Sequence, residues 1–354
     1  MKYKADWPEA AERWAALWDG RRLDRPCMVV TAPNGRERRV APPASGEQKY
    51  LDPEWNVAAT LAHLETTHFA GEAVPSVLLN GGWLATPYHA QPRFSLDTIW
   101  FEPVEMDWDH PPSFDLDFEN PWFRKYRALH EAIMRLARHD DFLIGQVCLL
   151  PASDILARLM GSTAFLFALV ERRDWMRATL RKLAENWLRV QRCFHELTAA
   201  TNAFPYGIAG WAPFWGPEPF LATQSDVSCM ISPEMFDEFI VPELDLVGRE
   251  FGRVWYHLDG PGAERHLPRL CSLDYLRVIQ WVPGAGRPPN GPAYLGLYRT
   301  IQAAGKIVHI AVPRESIEAI IRALDPALLC IETWADGPRE AEELLAAARR
   351  WTRQ

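Results

Sequence analysis

In Arg253-Val-Trp-Tyr-His-Leu-Asp259, an imidazole and a carboxylate stand two residues apart at the end of an apolar and aromatic run. Successive side chains of a strand point to opposite faces, so His257 and Asp259 share one face while Val254 and Leu258 share the other. Placed this way, the pair can bind one metal ion or act as a hydrogen-bonded acid/base couple. The later runs repeat the pattern. In Lys306–Val312, Val308 and Ile310 leave His309 on the opposite face, and in Leu328–Thr333, Leu329 and Ile331 leave Cys330 and Glu332 there. Gln224 and Asp226 end an earlier run, and Gln280 stands near the end of another.

Each residue also has a plainer reading. A single inward His is more often a satisfied core residue than a ligand, because buried imidazoles are stable once hydrogen-bonded. Together, however, Asp226, Asp259 and Glu332 in one cavity need a cation, protons or solvent to offset their charge. A bound divalent metal is the simplest offset, and shared protons are the rival. The glycine-bearing loops Asp259-Gly-Pro-Gly-Ala263 and Val282-Pro-Gly-Ala-Gly-Arg287 expose backbone N–H groups that can cradle an anion beside Arg287, although such loops are more often plain tight turns.

The elements that must carry these residues alternate apolar runs with amphipathic helices, the pattern of parallel strands joined by crossover helices. Eight runs qualify: Cys27–Ala32, Val74–Asn80, Phe142–Leu149, Phe220–Ser225, Arg253–Asp259, Tyr275–Val282, Lys306–Val312 and Leu328–Thr333. Ahead of them, Asp6 is placed to cap a helix whose stripe is Ala10, Ala11, Trp14, Ala15 and Trp18, and Gly20 ends it. Between Asp174 and Leu197, apolar residues recur at steps of four and three, and Ser232-Pro233 opens a further helix. The fold expected is a single-domain α/β (β/α)8 TIM barrel over 1–354, with its site at the C-terminal strand ends. An open doubly wound sheet is the fallback.

The segment from Trp83 to Trp122 breaks the alternation. It is rich in Pro and aromatics, and it carries eight acidic residues between Asp97 and Glu119 with no Lys or Arg among them. It reads as a long insertion after the second strand: either a lid or an extension packed through Trp100, Phe101 and Trp108. The whole chain has 354 residues, a formal charge of −8, 16 Trp and 29 Pro. Without a basic cluster, nucleic acid is not an expected partner. The N-terminus lacks the apolar core of a signal peptide and no 18-residue apolar run follows, so a cytoplasmic protein with no membrane association is expected. The six cysteines form no Cys-x-x-Cys pair, which suggests neither a disulfide framework nor a zinc ribbon.

Three stretches carry a family resemblance. They are Phe142-Leu-Ile-Gly-Gln-Val-Cys-Leu-Leu-Pro151, then Asp226 with Ile231-Ser-Pro-Glu-Met-Phe-Asp-Glu-Phe-Ile-Val-Pro242, then Tyr256-His-Leu-Asp-Gly260. In element order from Pro26 to Trp351 the chain resembles the uroporphyrinogen decarboxylase superfamily, above all its cobalamin-dependent methyltransferase branch. Gln280-Trp-Val-Pro-Gly-Ala-Gly286 with Gly305-Lys306 resembles a subgroup described as trimethylamine corrinoid protein-like. Where the decarboxylases carry Met-Arg-Gln-Ala-Gly-Arg, this chain has Met28-Val-Val-Thr-Ala-Pro-Asn-Gly35, which argues against a tetrapyrrole substrate.

The resemblance also implies a zinc site. The branch binds zinc through His-x-Cys and a later Cys; here His257 matches the His, Asp259 stands at the first Cys, and Cys330 and Glu332 lie near the second. Carboxylates in place of thiolates make a harder site, suited to oxygen or nitrogen groups rather than a thiol.

The leading expectation is a metal-dependent, methyltransferase-like enzyme acting on a small polar substrate. Its divalent metal, zinc in the branch, would be held by His257, Asp259, Glu332 and Cys330. Asp226, His257 and His309 would be catalytic, and Gln146, Gln224, Trp255, Gln280, Trp281 and Arg287 would contact substrate. The chain has no Asp-x-His-x-x-Gly corrinoid signature, so a corrinoid would arrive on a separate protein; a homodimer is the other assembly considered. Two alternatives are a metal-assisted hydrolase, lyase or decarboxylase on a small, carbohydrate-like substrate, with Trp83, Trp211, Trp215, Trp255 and Trp281 for stacking, and a non-catalytic ligand-binding protein.

Overall fold

A computed structural model describes residues 1–79, 88, 91–137, 141–199 and 208–353. Among these, eleven strands appear: β1 (Cys27–Pro33), β2 (Thr67–Gly71), β3 (Ser76–Val77), β4 (Pro92–Phe94), β5 (Ile99–Phe101), β6 (Leu143–Ile144), β7 (Leu221–Gln224), β8 (Val254–Asp259), β9 (Leu276–Val282), β10 (Ile307–Ala311) and β11 (Leu329–Trp334). The largest sheet is seven-stranded, in the order β2-β1-β11-β10-β9-β8-β7. All its ladders are parallel except β1 with β2. The protein is a mixed α/β fold with a mostly parallel central sheet, and helices cover the outer face.

All eight expected strands occur, but their ladder does not close into a barrel among the described residues. Two of the runs shrink to the short parallel pair β3–β6, and Asn80 lies outside the described residues. The edge of β1 is taken instead by β2, an antiparallel strand that the sequence reading missed. Thr67-His-Phe-Ala-Gly71 is short and follows the helix Pro53–Thr66 without a break, so it reads as that helix's tail.

The turn out of β2 explains the geometry. Gly71 has φ +59°, and a Cβ there would stand 2.4 Å from the Met28 carbonyl oxygen, so only glycine lets the strand turn this close to β1. The next residue, Glu72, is buried. It accepts from the Met28 N–H at 2.7 Å and takes both Arg25 guanidinium nitrogens at 2.6 and 2.8 Å, with Arg13 Nε 2.8 Å away. At the other gap the Gln146 side chain spans β6 and β7, donating to Phe220 O at 2.8 Å and accepting from Ala222 N at 3.0 Å.

The helices follow the sequence closely. Trp7–Trp18 buries Trp14 and Trp18, yet Asp6 makes no side-chain cap bond, because its carboxylate pairs with Lys4. Arg173–Ala199 buries Met176, Leu180, Leu183, Trp187, Val190 and Phe194, and Ser232 caps Pro233–Phe239 by accepting from Met235 N. The insertion is partly structured. β4 and β5 form an antiparallel hairpin, and Asn120 accepts from Trp122 N to start the helix Pro121–Leu136. Trp108 packs edge-on against Trp175 of the long helix, while Trp100 is exposed; Trp83 lies outside the described residues. No single described helix is long and apolar enough to cross a membrane.

Glu72 pairs directly with the buried Arg25 at the seam between β1 and β2. Removing one partner of a buried ion pair costs about 3–5 kcal/mol, so Glu72→Ala is expected to lower the urea-denaturation free energy by about that much.

Candidate functional site at the strand C-termini

Parallel pairing sets inward side chains at the same level from strand to strand, and here the rows are polar. One row runs Gln224–His257–Gln280–His309–Cys330–Cys27 across six neighbouring strands. The row toward the C-terminal ends holds Asp259 and Glu332, register partners of Val282 and of Ala311 and Val29, with Asp226 just past the end of β7. The row below is apolar, with Ala222, Trp255, Val278 and Ile307. The polar groups therefore sit above a dry floor, at one end of the sheet.

Their hydrogen-bond partners assign the two histidines opposite tautomers. His257 Nδ1 lies 2.5 Å from Gln280 Oε1, an oxygen that only accepts, so Nδ1 carries the proton and Nε2 keeps its lone pair. His309 Nδ1 accepts from Trp255 Nε1 at 3.3 Å, so its proton is on Nε2, 3.7 Å from Glu332 Oε2 and without a hydrogen-bond partner among the described residues. Burial, with a contribution from His257, lowers the His309 pKa to about 3 and keeps it neutral. Burial pushes the Glu332 carboxyl up to about 7. Trp211 packs edge-on to both Trp255 and His257, at 5.3 and 6.1 Å between ring centroids.

A second group, missed in the sequence, stands beside this face. Asp154, in the first turn of the helix Ala152–Met160, is buried and accepts from Gln224 Nε2 at 3.0 Å, Asp226 N at 3.0 Å and Val227 N at 3.2 Å. Gln224 Nε2 also donates to Asp226 Oδ1 at 2.9 Å. Burial raises the Asp154 pKa first, and the Asp226 charge adds to it; Asp226 is itself raised by desolvation and then by Asp259, with Arg158 opposing. The only signal for Asp154 in the sequence was a carboxylate in an otherwise apolar helix start, Pro151-Ala-Ser-Asp-Ile-Leu. A cavity of about 370 Å³ opens over these carboxyls, walled by Trp100, Phe101 and Pro103 of the insertion and floored by Asp154, Arg158 and Asp226.

Several expected contacts fall elsewhere. Period two allows only one of Gln280 and Trp281 to face inward, and Trp281 is the outward one, buried against Tyr294 with its carbonyl bonded to Asn290. The Gln146 amide is used up spanning β6 and β7, and Arg287 is exposed on its loop. Trp255 is inward but fully buried beneath the histidines, and Trp215 packs with Trp7 and Trp18 of the first helix. Cys330 is buried level with its register partner Cys27, one row below Glu332. Among the described residues no group of three or more His, Cys, Asp or Glu side chains is placed to hold a metal ion. The expected set of His257, Asp259, Glu332 and Cys330 is therefore not drawn together around one point, although the His257 Nδ1–H···Gln280 bond leaves Nε2 with its lone pair.

The sequence matches no family model and no curated protein. Among solved structures, a methyltransferase from Methanosarcina mazei matches with a TM-score of 0.61 over 98% of this chain and 99% of that chain, at 14% identity. The likeness is one of fold.

The raised Glu332 carboxyl makes a signed prediction. A folded-state pKa of about 7 against about 4.3 unfolded means the native state holds the extra proton between them, so this contribution to stability is present at low pH and lost as pH rises. Melting temperatures measured from about pH 5 to about pH 8 should fall for the parent relative to Glu332→Gln, whose side chain does not titrate.

Proposed function

We propose that this chain is a methyltransferase-like enzyme that moves a methyl group to or from a small polar molecule at the C-terminal ends of its parallel strands. The reading takes the two strand groups as the wall of one barrel. The observation that carries it is the gathering of proton-handling groups (His257 with a free Nε2, and carboxyls at Asp226 and Glu332 with raised pKa) at one end of a fold shared along nearly its whole length with a methyltransferase.

The chemistry requires such groups. Methyl transfer onto an N–H, O–H or S–H acceptor releases a proton, and removal of a methyl group from a heteroatom leaves an anion or amine that takes one up. The His257 Nε2 lone pair is suited to accept a proton or to hold a donor group of the substrate. Desolvation and the Asp259 charge raise the Asp226 carboxyl above its ordinary pKa, so it holds a proton more readily, which suits it to acid/base duty.

In this reading the methyl carrier is a corrinoid on a separate protein, which supplies a methyl group that a nucleophile can accept. Trp100, Met230 and Trp334 are exposed large apolar residues, and they stand on the insertion, just after β7 and at the end of β11, where a docked partner would meet them. This apolar rim fits a docked carrier. The donor set does not fit a resident three-ligand metal, and no step is assigned to one.

Methyl transfer from free methylcobalamin to a panel of small amines, alcohols and thiols, followed by the change in visible absorbance, tests the reading. Loss of a general acid/base typically costs about 10²–10⁴-fold, so Asp226→Asn and His257→Ala should each lower kcat by at least about a hundredfold. Unchanged rates in both variants would remove the site from the reaction.

A further inference from the structure

The turn after β7, on which Asp226 stands, is held by a side chain that arrives from another element. Among the described residues, three hydrogen bonds reach the Asp154 carboxylate, and all come from this turn and the strand end before it: the Gln224 amide and the backbone N–H groups of Asp226 and Val227. The Gln224 NH₂ group then bridges to Asp226 Oδ1, so one amide ties the two carboxyls together. Asp154 is 2% exposed. Burying a carboxylate has a high cost unless its lone pairs are met, and here they are met by groups whose common role is to fix the position of Asp226.

The helix that carries Asp154 is fixed in turn. Glu243, buried on the helix Val241–Phe251, accepts from Ala152 N at 2.7 Å, and Ser153 Oγ lies 3.2 Å from Ser225 Oγ. Two buried carboxyls thus hold the start of Ala152–Met160, Glu243 tying it to the helix Val241–Phe251 and Asp154 tying it to the end of β7. A core with only a packing task would place apolar side chains here at lower desolvation cost.

We propose that Asp154 is a positioning residue for the proposed reaction, which sets the orientation of the Asp226 carboxyl through Gln224 and through the backbone of the turn. The proposal rests on the functional reading given above. Asp154 also lines the cavity beside Asp226, so the clamp and the group it aims lie on one wall. In Asp154→Asn the side chain keeps its size, but its NH₂ group must face an N–H donor that the carboxylate had accepted from. At least one of the three bonds is lost and the turn is released.

The test is a double-mutant cycle in the methylcobalamin assay, with amide hydrogen exchange on the same proteins. Misplacing a reacting group by about 1 Å can cost about a hundredfold. Asp154→Asn should lower kcat by about ten- to a hundredfold with KM changed by less than about threefold, and should add nothing in the Asp226→Asn background. Equal losses of kcat in both backgrounds, or no loss in the parent, would overturn the proposal. Gln224→Ala, which leaves the buried carboxylate in place, should reproduce part of the loss and covers the case where Asp154→Asn folds poorly. If the parent itself transfers no methyl group, the functional reading fails. The exchange data then decide the clamp alone: the Asp226 and Val227 amides should lose protection in Asp154→Asn more than amides of β8 do, and equal protection in both proteins would refute it.

Discussion

Everything at the proposed site depends on the registration of parallel strands. Pairing residue for residue puts Gln224, His257, Gln280, His309 and Cys330 on one level of one face, from strands spread over more than a hundred residues of chain. A slip of one residue in any strand would turn its polar side chain into the helix layer and bring an apolar one to the mouth. The apolar row below, built around Trp255, and the outer packing of Trp281, Ile310 and Ile331 hold the register, because each buries a large surface only in this alignment.

Neighbours across that row also determine what each group can do. In the orientation it holds, Gln280 turns its amide oxygen to His257 Nδ1, which places the hydrogen there and the lone pair on Nε2. The Trp255 indole makes the opposite assignment at His309. The same two chemical groups, two strands apart, become an acceptor and a donor through the partner below or beside them. The carboxyls are tuned by a different route: burial alone lifts Glu332 to about 7, while desolvation and then the Asp259 charge raise Asp226.

Strict alternation made the second half of the chain legible. In β8, β10 and β11 every other residue is apolar and helix-facing, so His257, Asp259, His309 and Glu332 were found by parity alone. The same rule, applied without exception, would have excluded Trp281 once Gln280 was chosen. The first half was harder for physical reasons. β3 and β6 are two residues long, and no periodicity can be read from two residues. β2 depends on a backbone approach that Gly71 permits, which is a tertiary fact. Asp154 lies 70 residues or more from every group that bonds it, so its role exists only after folding. The expected metal set is a matter of distance rather than parity: the residue types are present, but no three of them are placed around one point among the described residues.

The central claim is that the strand-end face is a preset arrangement of acceptors and donors. Histidine ring ¹⁵N spectra of the folded protein, with His257→Gln and His309→Gln used for assignment, test it most directly. The account predicts His257 as the Nδ1–H tautomer and His309 as the Nε2–H tautomer, with His309 remaining neutral down to about pH 5. A His257 ring protonated on Nε2, or a His309 that gains a second proton near its ordinary pKa, would contradict it.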